Sequence, residues 1–423
     1  ALMGATAGQL NAMSQWIIDT GARIWQIVEQ YDLKTSFVFD HIDLIEPSPG
    51  VFIGLKKYGC RIHSQTIEDL PYSPEKRLEP SEMDVVREYC FNDLNLTRDL
   101  YEAVSDRIKL REQLGTKYDV ELRSKSDAQI AEAVIRHELG NVRKPGRLPA
   151  GITFKYKAPD WMDFYRKDLK ELLARLQRED FVLDNGGKVK LPKWLEPITI
   201  GDTTYKLGIG GLHSQEKKQS IVPLDYEMLI DADVASYYPS IILNEKLYPQ
   251  HLGSRFLEVY QDLVDRRLKA KAEGDTITAD GLKITINGTF GKLASKYSFL
   301  YSPDLMLAVT LTGQLALLML IEELEQHKLP VVSANTDGVV ALIPAQHYDL
   351  YEQLCEQWQE DTGFTLEYTC DRALHSRDVN NYLAVKMDGT TKGKGVFAET
   401  GLMKDPAAPI VHEAAKRYLV GKY

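Results

Sequence analysis

The stretch Leu305-Met-Leu-Ala-Val-Thr-Leu-Thr-Gly-Gln-Leu-Ala-Leu-Leu-Met-Leu-Ile321 constrains the fold more than any other part of this chain. An apolar run of that length has to leave water. It falls just short of a comfortable membrane span and is interrupted by Thr310, Thr312, Gly313 and Gln314. Glu322-Glu323-Leu324-Glu325 continues it as an amphipathic surface end, which favours a buried core helix over a transmembrane one. Directly after it, Pro330-Val-Val-Ser-Ala334 and Gly338-Val-Val-Ala-Leu342 read as two strands. Asn335-Thr336-Asp337 lies between them, and Asp-Gly flanked by apolar runs is a strong short hairpin signal. Asp337 is therefore expected at a hairpin tip, and the second half of the chain reads as α+β.

At 423 residues the chain is too long for one ordinary domain, so two or three are expected. Hydrophobic residues at 44% and charged residues at 26% describe a folded protein rather than a disordered one. The formal net charge of -10 provides no global attraction for nucleic acid, so any such contact has to come from local basic patches. Cys60, Cys90, Cys355 and Cys370 are scattered and form no CxxC pair, which argues against a disulfide framework or a cysteine zinc site and for reduced thiols in a cytoplasm. The opening Ala1-Leu2-Met3-Gly4 does not read as a signal peptide.

Helices are expected over about 81–102, opened by the capping-box variant Ser81-Glu-Met-Asp84, and over about 126–139, opened by the capping box Ser126-Asp-Ala-Gln129. Residues 140–159 are rich in Pro, Gly and Lys and read as a linker, with a domain boundary there. A helix over about 161–178 and short strand-like runs up to Ile221 follow. Glu227–Val234 reads as a strand, and helices are expected near 255–272 and 280–292 around the turn Glu273-Gly274-Asp275.

Asp233 ends one strand and Asp337 sits at a turn far along the chain. If both strands lie in one sheet, the carboxylates can meet and hold divalent cations; oxygen ligands together with phosphates are what Mg²⁺ prefers. Lys283, Asn287 and Gly291 recur at i, i+4 and i+8 and so line one helix face, and Arg267 and Lys271 form a second such pair.

Asp233-Val-Ala-Ser236-Tyr237-Tyr238-Pro-Ser240 resembles motif A of family B DNA polymerases, D-x-x-S-L-Y-P-S, with Tyr237 where Leu is usual. Lys283-Ile-Thr-Ile-Asn287-Gly288-Thr-Phe290-Gly291 resembles motif B, K-x-x-x-N-S-x-Y-G, and Asn335-Thr336-Asp337-Gly338 resembles motif C, D-T-D-S. Gly208-Ile-Gly210-Gly211 resembles the YxGG loop, with Gly208 for Tyr. The resemblance implies catalysis by Asp233 and Asp337, which with Val234 would hold two Mg²⁺ ions. It implies nucleotide contacts from Ser236, Tyr237, Tyr238, Arg267, Lys271, Lys283 and Asn287, with Tyr238 as the steric gate against a 2'-hydroxyl. DNA contacts are implied for Gly210, Gly211, Thr336, Tyr382, Lys392 and Lys394, the last three lying where palm basic motifs hold primer. Tyr89-Cys-Phe-Asn-Asp93 fits the third 3'-5' exonuclease motif, Y-x-x-x-D, but no D-x-E precedes it, so Tyr89 and Asp93 read as an exonuclease remnant.

The implied fold is α+β and multi-domain. An RNase H-like exonuclease remnant would occupy 1–145, a linker and YxGG-type region 146–220, and a polymerase palm 221–423, with two-helix fingers inserted at about 250–295 and the thumb largely absent. The chain is thus expected to be a fragment of a phage- or viral-type enzyme of the cytoplasm (the host's, if viral), with no membrane. It would add deoxynucleotides to a primer 3'-hydroxyl on primer-template DNA, with a processivity factor as an optional partner. Short gaps between motifs favour a nucleic-acid primer over a protein one. The alternative is a catalytically weakened or silent polymerase-fold DNA-binding protein, for which Asn335, in place of the first motif C Asp, is the argument.

Overall fold

The computed structural model describes residues 6–32, 40–48, 53–140, 142–399, 401–403 and 409–421. The chain divides into two compact units, Ala1–Asp43 and Leu44–Tyr423. The first holds α1 (Ala7–Thr20), opened by a capping box between Thr6 and Gln9, and α2 (Ile24–Gln30).

The second unit begins with the helices α3 (Leu55–Arg61), α4 (Met83–Ala103), α5 (Ser105–Tyr118) and α6 (Asp127–Leu139). After β1 (Thr153–Phe154), α7 (Lys167–Arg178) and β2 (Phe181–Val182) come the short strands β3 (Ile198–Ile200), β4 (Thr203–Leu207), β5 (Leu212–Ser214) and β6 (Gln219–Ile221). Then follow β7 (Glu227–Val234), α8 (Tyr237–Asn244), α9 (Arg255–Glu273), α10 (Thr276–Leu293) and α11 (Pro303–Gln326). The chain continues through β8 (Val331–Asn335), β9 (Gly338–Pro344), α12 (Tyr348–Thr362), β10 (Leu366–Asp378), β11 (Asn381–Lys386), β12 (Thr391–Gly393) and α13 (Pro409–Val420). The mixture of helix and sheet agrees with the α+β expectation. Among the described residues ahead of Thr153 there are helices and no strand, so no sheet of an RNase H-like remnant is seen there.

One large sheet runs in the order β12-β11-β10-β7-β9-β8-β5-β4-β3, with neighbours antiparallel. β7 lies near its middle and follows the period of two that a pleated strand dictates. Ile230, Ala232 and Val234 are buried in the main core, while Asp231 and Asp233 point to the opposite face. Among the described residues that face carries a small apolar cluster around Leu229, Leu374 and Ala384.

The apolar run is α11, packed against α8, α10, α12 and four strands of the sheet. Each buried Leu or Ile in it contributes about 1.5–3 kcal/mol by leaving water. Its polar interruptions all have work in the core. Gln314 accepts from the Gly208 amide at 2.7 Å and donates back to the Thr310 carbonyl at 2.9 Å. Thr312 meets the Tyr156 hydroxyl at 3.0 Å. Gly313 lies where an added Cβ would meet Ile241 at 3.1 Å and Tyr237 at 3.2 Å, so its bareness lets α8 approach.

α9 and α10 form the two-helix unit expected between residues 250 and 295. Gly274 closes α9 in the left-handed conformation (φ 74°), and Asp275 caps α10 by accepting from the Thr278 amide. This pair is packed onto α6. A Cβ on Gly288 would lie 2.7 Å from the Ala131 methyl, Arg266 reaches Glu138 and the Tyr118 hydroxyl at 2.9 Å each, and Lys292 pairs with Glu132 at 3.2 Å. Packing therefore joins elements on both sides of residue 145, and the compact unit runs without a break through the boundary expected there.

Candidate active site

Asp233 and Asp337 enter one cleft of about 290 Å³, lined also by Asp231, Asn335, Asp371, Tyr382, Lys392 and Lys394. The register brings them together: Asp233 faces Gly338 across the β7–β9 ladder, and the Val234 amide donates to the Asp337 carbonyl at 2.7 Å. Gly338 makes room for the encounter, since a Cβ there would lie 2.1 Å from an Asp233 carboxylate oxygen.

The hairpin exists, but Gly338 is not its left-handed residue. That conformation falls on Thr336 (φ 57°), where a β-branched side chain is disfavoured. Its amide donates to the Leu212 carbonyl at 2.7 Å and its hydroxyl donates to the Asn335 side-chain oxygen at 3.1 Å. Gly211 (φ 141°) presses on it so closely that a Cβ would sit 2.9 Å from the Thr336 methyl. The Gly210-Gly211 loop is thus a clamp on the hairpin tip. Ser236, at the start of α8, is a second non-glycine residue with left-handed backbone (φ 49°). Such conformations persist where surrounding contacts impose them, and they gather at functional sites.

Asn335 lines the cleft, yet its amide donates to the Val379 carbonyl at 3.0 Å. That nitrogen is engaged with the backbone next to β11. An Asp in its place would set an acceptor against an acceptor.

Two further carboxylates come from the structure and not from the motifs. Asp231 lies two residues before Asp233 on the same face, and Asp371 stands on β10 opposite Leu229. Asp371 is 3% exposed, and one of its carboxylate oxygens has no hydrogen-bond partner. Burial, then the Asp231 charge, pushes its carboxyl up to about 7. Burial and then repulsion from Asp233 raise Asp231. Asp337 keeps an exposed edge, but the protein around it and then Asp233 raise its carboxyl too, against a smaller pull from Lys394 and Lys392.

The answering cations are Lys392 and Lys394, expected to hold DNA. The Lys392 ammonium donates to Asp231 at 3.3 Å and to Asp233 at 3.2 Å. The two carboxylates raise its pKa against the cost of burial. Lys394 is lowered by burial, with Asp337 opposing. Tyr382 is half-buried in the same wall. Four carboxyl groups face two ammonium groups, which leaves the cleft short of positive charge. The bridging ammonium marks where a cation is stabilised.

Tyr238 and Tyr237 part company. Tyr238 stacks on Phe290 of α10 with ring centres 4.1 Å apart, and its hydroxyl donates to the Gly210 carbonyl at 2.9 Å. Burial and then Asp337 push that hydroxyl up to about 12. Tyr237 was expected among the nucleotide contacts, but its side chain is in the core: it is 4% exposed, donates to the Gly313 carbonyl and packs edge-on to Phe364.

On the helical pair, Arg267 reaches Ser236 at 3.4 Å, which connects α9 to the motif A turn. Lys271, Lys283, Asn287 and Gly291 are all exposed, so the face formed by the last three is open as the spacing predicts. Away from the cleft, Tyr89 and Asp93 share α4. Lys56 lies 5.0 Å from the Tyr89 ring centre, and one Asp93 oxygen is buried without a hydrogen-bond partner.

No family model matches the chain, and no curated protein matches it. Among solved structures it is similar to the family B DNA polymerase from the hyperthermophilic archaeon Pyrobaculum calidifontis, at 14% identity and a TM-score of 0.40. The match covers 82% of this chain and 44% of that one, so the chain spans less than half the length of that polymerase.

Proposed function

We propose that this chain carries out templated addition of deoxynucleotides to a primer 3'-hydroxyl, with release of pyrophosphate. The observation that carries the reading is the meeting of Asp233 and Asp337, far apart in sequence, in one cation-poor cleft. Among the described residues no group of three or more acidic, His or Cys side chains is close enough to hold a metal by itself. Mg²⁺, however, is commonly held by one or two carboxylates plus substrate phosphates. The donor set suits it: Asp233 and Asp337 would supply the carboxylates and Val234 a backbone carbonyl, next to the Lys392 ammonium that pairs with Asp231 and Asp233. When bound, such ions would lower the pKa of an attacking hydroxyl and stabilise the charge of a leaving pyrophosphate.

The protein's own side chains set the remaining geometry. Lys392 bridges Asp231 and Asp233 and supplies positive charge to both. Tyr238, wedged between Phe290 and the Gly210 carbonyl, forms the wall that excludes a 2'-hydroxyl. Arg267, Lys271 and Lys283 supply charge for a triphosphate, with Asn287 on the same open face as Lys283. A catalytically silent DNA-binding protein is the second reading, favoured by the Asn335 amide being tied to Val379 and not offered to the cleft.

The discriminating experiment offers the protein a primer-template, one deoxynucleotide at a time, with Mg²⁺ or with chelator. Single-nucleotide extension only with the base that pairs with the template, and only with Mg²⁺, is expected. Duplex binding without extension under any metal would replace the enzyme reading with the silent one.

A further inference from the structure

A groove of about 930 Å³ opens beyond the end of α10, walled by the proline-rich segment 145–150 and floored by Gly187. Into it project Arg147, Lys296 and Tyr297. Tyr297 is 76% exposed, the most exposed large hydrophobic side chain among the described residues, and Lys296 holds its ammonium 5.5 Å from the ring centre. Gly187 (φ 78°) is held down by the Tyr301 hydroxyl, which donates to its carbonyl at 2.8 Å, and a Cβ there would meet that hydroxyl at 2.9 Å. The floor is therefore kept bare. The acidic group in the wall, Asp184, is already engaged: its carboxylate accepts from the Lys188 amide at 2.9 Å and has Lys190 at 3.7 Å, and these contacts hold it below the usual carboxylate range.

Elements that line the groove continue along the chain into elements of the candidate active site. Gly187 also borders an adjoining apolar hollow of about 150 Å³ whose far side includes Ala294 and the half-exposed Ile209. Ile209 precedes Gly210, whose carbonyl receives the Tyr238 hydroxyl. Ala294, Lys296 and Tyr297 directly follow α10, the helix whose Phe290 stacks on Tyr238. An exposed ring flanked by cations beside a bare floor matches how unpaired nucleic acid is held: bases stack on aromatics while cations follow the backbone.

We propose that this groove is a track for a single-stranded nucleic acid, in which a base stacks on Tyr297 while Arg147 and Lys296 follow its phosphates. Naming that strand as the unpaired template rests on the polymerase reading; the single-strand site itself does not.

The test is fluorescence anisotropy with a labelled oligothymidylate and, separately, a blunt duplex. Tyr297→Ala should weaken oligothymidylate binding by about tenfold, and Tyr297→Phe should stay within about twofold of wild type, since stacking needs the ring and not the hydroxyl. Arg147→Ala combined with Lys296→Ala should make the salt dependence shallower by roughly 1.4 in log–log slope, about 0.7 per phosphate contact. Blunt-duplex affinity should be unchanged in all three, and because the altered side chains are exposed the melting temperature should hold. Oligothymidylate affinity equal in wild type and Tyr297→Ala would overturn the track, whether or not the protein extends primers. Weakened oligothymidylate binding in a protein that never extends a primer would uphold the single-strand site and remove only its description as a template path.

Discussion

At the scale of single residues, Asn335 shows what spacing alone leaves out of a motif. Two positions from Asp337, its side chain would share Asp337's direction if the segment were extended; the left-handed Thr336 lies between them, and both residues line the cleft. Its donor, however, goes to the Val379 carbonyl. Restoring the motif by Asn335→Asp should not rescue activity but should destabilise the protein by about 1–3 kcal/mol, through an unsatisfied carbonyl facing a carboxylate. Thermal melting of the variant checks this; a variant as stable as wild type and markedly more active would show that the amide contact is dispensable. Tyr238 is the complementary case. Its ring is fixed by Phe290 and Gly210 beside Asp337, so Tyr238→Ala should raise ribonucleotide incorporation relative to deoxynucleotide in competition assays. An unchanged ratio would reduce the ring to packing.

At the scale of elements, the question is what holds the α9–α10 pair over the site. The close approach of α10 to α6 depends on Gly288, which stands where motif B usually has Ser. Gly288→Ala should destabilise by about 1–3 kcal/mol through overpacking against Ala131, and Ala131→Gly should recover part of the loss, a coupling that denaturant melts in a double-mutant cycle would measure. Additive losses would mean that the helices do not meet there. This contact was not legible in the sequence, whereas the helices themselves were, because their periodicity and the Gly274-Asp275 cap are local signals. The same division runs through the site. Asp233 and Asp337 stood out because each ends or turns a strand with recognisable neighbours. Asp371 did not, because its importance depends on β10 lying beside β7, and β10 buries Asp371, His375 and Ser376 in place of an alternating apolar pattern. Nothing in the segment of Lys392 shows that β12 ends the row of strands and brings its ammonium to Asp231 and Asp233. Tyr237 and Tyr238 are neighbours on one helical turn, about 100° apart, and sequence alone did not say which faces the core.

At the scale of the whole molecule, the buried carboxyl groups make stability depend on pH. Burial and then the Asp231 charge push the Asp371 carboxyl up to about 7 in the folded protein, against an ordinary value of 3.8. Between these values the folded state holds a proton that the unfolded chain has released, so stability falls as pH rises through the window, and the loss persists above it. Asp371→Asn removes that dependence. In chelator, its melting temperature should gain on wild type between pH 5 and pH 8, by an amount corresponding to about 2–4 kcal/mol. Parallel curves would mean that Asp371 is ionised throughout. The proposed function rests on a different pair, Asp233 and Asp337. The most direct measurement of the central claim is the single-turnover rate of template-matched extension by Asp337→Asn beside wild type, with primer-template affinity measured on the same samples. Asn keeps the size and loses the charge, so the extension rate should fall by at least a hundredfold, about 3 kcal/mol in barrier, with affinity within about threefold. Extension near the wild-type rate by Asp337→Asn would contradict the assignment of Asp233 and Asp337 as the catalytic carboxylates.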